Sequence, residues 1–92
     1  PKLYKTMNRL AWLYAKKQIK LAKAEELSNK TLKAFPKRHE YIDTLSEIYY
    51  VQGKKDSAIA KIKEALELVP EDAYYKKQLW KFTNKKVGAP AT

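Results

Sequence analysis

A chain of 92 residues with 45% hydrophobic residues and two glycines has the composition of a single folded domain. Because a chain of this length builds only a thin core, we expect no enclosed catalytic cavity and therefore no enzyme. The absence of cysteine excludes disulfides and thiolate zinc sites. No hydrophobic run approaches the ~18 residues that cross a bilayer, so we expect no membrane partner.

The net charge of +10 is concentrated in two parts of the chain. Residues 1–38 hold eleven Lys and Arg against two acids, which gives +9, and residues 71–92 hold five Lys against two acids, which gives +3. The intervening residues 39–70 hold four Lys against six acids, which gives −2. An acidic partner would therefore meet the two ends of the chain first.

The first part of the chain predicts two amphipathic helices, because apolar residues recur at spacings of three and four. These residues are Leu3, Met7, Leu10, Leu13 and Tyr14 in the first helix and Leu21, Ala24, Leu27, Leu32 and Phe35 in the second. We expect Pro36 to close the second helix. The segment from Lys16 to Lys20 has no Gly, so we expect a looser chain reversal there.

The middle of the chain predicts a second pair of helices with a clearer turn. The first carries Tyr41, Ile42, Leu45, Ile48 and Tyr49, and the second carries Ile59, Ile62, Ala65 and Leu66. Gly53 is expected to end the former, since Gly readily adopts the left-handed conformation at a helix end. Asp56 is the expected N-cap of the latter, and Pro70 is expected to end it.

A final helix is predicted after Asp72, because acids favour a helix N-terminus. It carries Tyr75, Leu79 and Phe82 on one stripe, and we expect Trp80 to cover the exposed end of the core. Residues 87–92 are expected to form a flexible tail. The chain starts with Pro1 and has no initiator Met, so we expect it to be an excised domain or a processed product.

The chain also repeats itself at an interval of 34 residues. Ala24 and Ala58, Pro36 and Pro70, and Leu45 and Leu79 are separated by this interval. A period of this length predicts a stacked helical array, or solenoid. In such arrays each unit buries the apolar face of its neighbour, and function belongs to the remaining surface.

These repeated residues resemble the tetratricopeptide repeat (TPR) family. The second unit matches the family pattern with Ile42, Leu45, Ser46, Tyr49, Ala58, Ile62, Ala65 and Pro70. The first unit matches with Met7, Leu10, Ala11, Tyr14, Ala24 and Pro36, but Ser28 and Thr31 stand where bulkier or smaller residues are usual. The resemblance implies an all-α, TPR-like superhelix of two antiparallel helix hairpins plus a C-terminal capping helix. It would form one domain over residues 1–86, with repeats at about 3–36 and 37–70 and the capping helix at about 71–86.

The resemblance further implies a concave groove that docks a peptide or protein partner. Carried over by position, its residues would be Lys5, Asn8, Arg9, Trp12, Ala15, Glu40, Asp43, Thr44, Glu47, Tyr50, Tyr74, Lys77, Gln78 and Lys81. Trp12, Tyr50 and Tyr74 are the aromatic anchors of this hypothesis. Because Asp43 and Glu47 would repel a carboxylate, we expect no recognition of an acidic peptide tail.

A structural interpretation of the same residues stays open. Arg9, Lys77 and Lys81 would then pair with Asp43 and Glu47 across the groove, and Trp12 would be half-buried core.

The favoured function is a non-enzymatic protein-interaction module that docks a partner protein, a peptide or the rest of a larger parent protein. The alternative is a basic adaptor that binds RNA or another acidic surface through the Lys-rich first hairpin. Self-association through the uncapped N-terminal face, which carries Leu3 and Met7, is a further hypothesis.

No catalytic or metal site is predicted. His39, Asp43 and Ser46 share a predicted helix, but a regular helix lacks the elbow and oxyanion hole that a nucleophilic Ser needs. One imidazole beside Glu40, Asp43 and Glu47 fits no structural zinc pattern. We therefore expect no metal and no cofactor.

Overall fold

The computed structural model describes residues 2–86, which form five α-helices. Their bounds are α1 Lys2–Lys17, α2 Leu21–Ala34, α3 His39–Val51, α4 Lys55–Leu68 and α5 Ala73–Asn84. The predicted all-α fold and the order of its helices are thereby confirmed. The tail predicted at 87–92 lies outside the described residues. Among the described helices, none combines the length and apolarity needed to cross a membrane.

The helices pack in chain order, each against the next, and α1 also packs against α3. The 34-residue interval of the sequence reappears in their positions: α4 begins and ends 34 residues after α2, and α5 begins 34 residues after α3. The result is a compact domain in which α3 lies at the centre.

The core consists of two apolar clusters that meet at α3. The first joins α1, α2 and α3 through Ala11, Ala15, Ala24, Leu27, Leu45 and Ile48. The second joins α3, α4 and α5 through Ile42, Ala58, Ile62, Ala65, Tyr75 and Phe82. Alanine at the helix contacts lets backbones approach closely, as expected for these positions. Because α3 supplies both clusters, all of its residues from 41 to 48 are buried, polar ones included.

The helix ends show which acidic side chain acts as a cap, and they correct one detail of the sequence analysis. Asp72 is the N-cap of α5, since its side chain accepts a hydrogen bond of 2.9 Å from the Tyr75 N–H. Asp56 is not the N-cap of α4, so that prediction is wrong. Lys54 precedes the helix without a capping side chain, and Asp56 lies in the first turn, where its charge still faces the positive end of the helix dipole.

Trp80 does not cover the core as expected. Its side chain is 57% exposed, whereas Phe82 on the same helix is fully buried in the second cluster. The recorded ring contact of Trp80 is with the Lys85 ammonium, 5.8 Å from the ring centroid. Phe82 therefore closes the end of the core, and Trp80 stands on the outside.

Candidate functional site

Side chains of α1 and α5 meet over α3, and α5 also contacts α3. The Trp12 ring on α1 meets the Tyr74 ring on α5 edge to face, with centroids 6.4 Å apart, and Gln78 on α5 hydrogen-bonds to Asp43 on α3. This ring contact joins α1 and α5 in front of α3. We call this surface, marked by these four residues, the α1–α3–α5 face.

The local sequence explains why these side chains reach this face. Trp12 follows the buried Ala11, and Asp43 follows the buried Ile42. A residue next to the core stripe of a helix is rotated by about 100° from it. Both side chains therefore lie beside the core-facing stripe of their helix, at its edge toward the α1–α3–α5 face.

One cleft of this face, which we call the Asp43 cleft, has a volume of about 330 Å³. It is lined by Lys5, Asn8, Arg9, Trp12, Glu40, Asp43, Thr44 and Tyr74. All eight were predicted as groove residues from the sequence. The structure therefore brings this half of the predicted set together.

A second, wider depression of about 540 Å³ continues from Tyr74 along α5. Its lining is basic and aromatic, and we call it the Trp80 groove: Lys16, Tyr74, Lys77, Gln78, Trp80, Lys81 and Lys85. Three of these residues, Lys16, Trp80 and Lys85, were not in the predicted set. Tyr74 lines both depressions, so the two adjoin at this residue.

Beneath this surface lies a polar network around Glu47. Gln78 Nε2 donates to Asp43 Oδ1 at 3.2 Å and to Glu47 Oε1 at 3.0 Å. Lys81 Nζ lies 2.8 Å from Glu47 Oε1, and Lys16 Nζ lies 3.7 Å from Oε2. Glu47 is only 2% exposed, so these two ammonium groups compensate a charge that burial would otherwise make costly.

The neighbouring Asp43 carboxylate has no ammonium group in direct contact among the described residues. It is 7% exposed, and among residues 2–86 it forms no ion pair. Burial is the main cause that raises the pKa of its carboxyl to about 6; the nearby Glu47 charge adds to the rise, and the Gln78 hydrogen bond and Lys81 oppose it. The cleft therefore holds a carboxylate that the folded protein stabilises poorly.

The interpretation of the groove residues as ion pairs and half-buried core is confirmed in part. Lys81 does pair with Glu47, and Trp12 is half-buried. Arg9 and Lys77, by contrast, form no ion pair within the described part of the chain. Lys16, which the sequence did not indicate, holds the second position on Glu47, because the last turn of α1 crosses the middle of α3.

Three of the predicted groove residues, Tyr50, Thr44 and Ala15, make contacts that stabilise the fold. Tyr50 lies apart from Trp12 and Tyr74: its ring stacks on Phe82 at a centroid distance of 4.9 Å and lines a different pocket. The Thr44 hydroxyl donates to the Glu40 carbonyl at 3.1 Å. Ala15 is buried in the core.

The three side chains that superficially suggest a catalytic triad have separate partners. His39 Nδ1 lies 2.7 Å from the Tyr75 hydroxyl. Ser46 is fully buried and donates to the Asp43 carbonyl at 2.6 Å. Within residues 2–86 no group of three His, Cys, Asp or Glu side chains is arranged to hold a metal ion.

Two other surfaces bear on partners. Leu3 is exposed on α1, as are Leu10 and Leu13, whereas Met7 is partly buried against the first core cluster. Of the two residues predicted for self-association, Leu3 is therefore accessible in a single copy and Met7 is accessible only in part. Self-association stays a prediction, which sedimentation at high concentration would test. The lysines of the first hairpin are also exposed: Lys16, Lys17, Lys20, Lys23, Lys30, Lys33 and Lys37.

Comparisons of this chain with models of known protein families, with curated proteins and with solved structures find no match.

Proposed function

We propose that this domain is a non-enzymatic interaction module that docks an extended peptide, or a segment of a larger parent protein, on the α1–α3–α5 face. The observation that carries this proposal is that the Asp43 cleft and the Trp80 groove lie side by side, with Tyr74 lining both. Tyr74 is 44% exposed and Trp80 is 57% exposed. Tyr and Trp side chains supply much of the binding energy at protein interfaces.

The same proposal includes the finer architecture, a TPR-like superhelix of two hairpins and a capping helix. Two observations support it. The helices recur at the 34-residue interval, and side chains of α1 and α5 meet over α3. In that arrangement α1, α3 and α5 would line the concave side, and α2 and α4 would form the outer side.

The proposal is tested with peptides selected from a random display library on the wild-type domain. Their affinities are then measured by calorimetry for Tyr74→Ala, Trp80→Ala and Leu68→Ala. Each of these residues is at least 42% exposed, so none of the variants should unfold. Leu68, 42% exposed on α4, is the matched control outside the face.

The proposal expects the Tyr74 and Trp80 variants to lose about tenfold or more in affinity. The Leu68 variant should bind like the wild type. Equal affinities for all three variants, or failure to select any peptide, would contradict docking on this face.

The second candidate function, binding of RNA, is favoured by the exposed lysines of the first hairpin and by the basic lining of the Trp80 groove. Lys and Arg that contact phosphates release counterions, so such binding weakens steeply with salt. The probe is an oligouridine of ~12 nucleotides. Affinity that falls steeply with salt and is lost in Lys17→Glu/Lys20→Glu/Lys30→Glu would favour RNA over peptide docking.

A further inference from the structure

The Asp43 cleft has a composition that identifies what kind of group it can accept. Its floor is the Asp43 carboxylate, which is nearly buried and lacks a cation within the described residues. Its walls include the Trp12 and Tyr74 rings in edge-to-face contact. A buried carboxylate flanked by aromatic rings is complementary to a cation, because both the charge and the ring faces attract it.

The protein already shows this chemistry at the neighbouring positions. The Lys16 ammonium lies 5.3 Å from the Trp12 ring centroid and pairs with Glu47. The Lys81 ammonium lies 5.0 Å from the Tyr50 ring and also pairs with Glu47. Each combines an aromatic ring with a buried carboxylate. The Asp43 cleft has aromatic rings and a buried carboxylate, but no ammonium group among residues 2–86 pairs with that carboxylate.

On these grounds, and resting on the docking function proposed above, we propose that the Asp43 cleft binds a cationic side chain of the docked peptide, an arginine or a lysine, against the Asp43 carboxylate. Asn8 also lines the cleft, and its Oδ1 accepts no hydrogen bond from the described residues. A rotation of this side chain would present a second acceptor to the bound cation.

The rim of the cleft indicates what should flank that cation. Lys5 and Arg9 are exposed and line its opening, and neither forms an ion pair among residues 2–86. They would repel a peptide that is basic along its length and attract acidic neighbours of the inserted residue. The partner is therefore a peptide in which one arginine or lysine is flanked by glutamate or aspartate.

The test uses two synthetic peptides with blocked ends, each with glutamates on both sides of a central residue. The central residue is arginine in one and its neutral isostere citrulline in the other. Binding is followed by ¹⁵N–¹H NMR, which resolves the indole N–H signals of Trp12 and Trp80 and the backbone signal of Asp43. Asp43→Asn removes the charge, and Glu64→Gln, an exposed carboxylate on α4, is the matched control.

The arginine peptide should move the Trp12 indole and Asp43 signals and bind about tenfold more tightly than the citrulline peptide. Asp43→Asn should remove that preference, and Glu64→Gln should retain it. If both peptides move Trp12 with equal affinity, or if either moves only Trp80, the cation site is overturned while docking on the face stands. If neither peptide moves any signal at millimolar concentration, the cation site is also overturned, and the display selection decides the docking function separately.

The pH dependence provides a second readout. Between about pH 7 and pH 5 the Asp43 carboxylate gains a proton, so affinity for the arginine peptide should fall in this interval and stay flat in Asp43→Asn. The other charged or titratable groups around Asp43 are Lys5, Arg9, Glu40, Glu47, Asp72, Tyr74, Tyr75 and Lys81. His39 contacts Tyr75, so His39→Gln is a control. In this variant the affinity for the arginine peptide should still fall between about pH 7 and pH 5. A wild-type affinity that does not change with pH would contradict a role for the Asp43 charge.

Discussion

Gln18 and Gly53 occupy the same structural position at the ends of α1 and α3. Both have positive φ, 55° for Gln18 and 82° for Gly53. The N–H of each donates to the carbonyl three residues earlier, at 3.0 Å in both cases. The next residue, Ile19 or Lys54, donates to the carbonyl five residues earlier. This pair of bonds is the Schellman motif, in which Gly is the usual left-handed residue.

Gln18→Gly should therefore stabilise the protein. A non-Gly residue in the left-handed region costs ~1–2 kcal/mol. Gly removes this cost, but it also raises the conformational entropy of the unfolded chain, which offsets part of the gain. We expect the free energy of unfolding, measured by urea denaturation, to rise by about 1 kcal/mol. Gly53→Ala is the matched control and should lower the free energy of unfolding by about 1 kcal/mol. The added Cβ would meet nothing within 4 Å, so backbone strain is the only cost. A loss of stability in Gln18→Gly would contradict the shared position.

Asp72 and Asp56, which both lie near a helix start, should differ in their contribution to stability. Asp72 caps α5 through the Tyr75 N–H, so Asp72→Ala should cost about 1 kcal/mol. Asp56 makes no capping bond on α4, so Asp56→Ala should cost only a few tenths of a kcal/mol through the helix dipole. Urea denaturation of both variants measures the difference. Equal losses would show that the two carboxylates act in the same way.

Ser28 and Ser46 should respond to alanine substitution with opposite signs. Both are fully buried, but Ser28 Oγ has no hydrogen-bond partner among the described residues, whereas Ser46 Oγ donates to the Asp43 carbonyl. Ser28→Ala removes an unsatisfied polar group and should stabilise by about 1 kcal/mol. Ser46→Ala loses a hydrogen bond and should destabilise by about 1 kcal/mol. Thermal unfolding checks both, and a loss in Ser28→Ala would argue against the unsatisfied hydroxyl.

Asp43→Asn should stabilise the protein in a pH-dependent way. Burial raises the pKa of this carboxyl to about 6 in the folded state, above its value of ~3.9 in an unfolded chain. The fold therefore favours the neutral form, and stability is lost as the pH rises through the folded pKa. Asn stays neutral, so the variant should be more stable by on the order of 2 kcal/mol at about pH 7.

This gain should shrink as the pH falls and disappear below about pH 3, where Asp43 is protonated in both states. Urea denaturation of the wild type and the variant across this range measures it. A constant difference at all pH values would exclude Asp43 titration as its cause. A residue that lowers stability in this way is commonly retained for function.

The sequence predicts the helices well because the apolar spacing in segments such as Tyr41 to Ile48 reports which face is buried. It predicts less well where a local choice has several physical solutions. Asp56 fits an N-cap by type, yet the helix begins one residue before it. Gln18 takes a conformation that its residue type disfavours, because the turn after α1 needs a Schellman closure.

The candidate site shows the same division. Trp12, Asp43 and Tyr74 were predicted together from a positional pattern, and they do line one cleft. Lys16 was missed because its partner Glu47 is 31 residues away, and spacing along one helix carries no information about that contact. Tyr50 has the residue type of an anchor, but its ring stacks on the Phe82 ring of α5.

The central claim is that recognition takes place on the α1–α3–α5 face, and NMR chemical-shift mapping tests it most directly. The wild-type domain is titrated with a peptide selected from the display library, and the perturbed backbone and indole signals are assigned. The account predicts that the largest changes fall on Trp12, Asp43, Tyr74 and Gln78. Changes confined to α2 and α4 would contradict it.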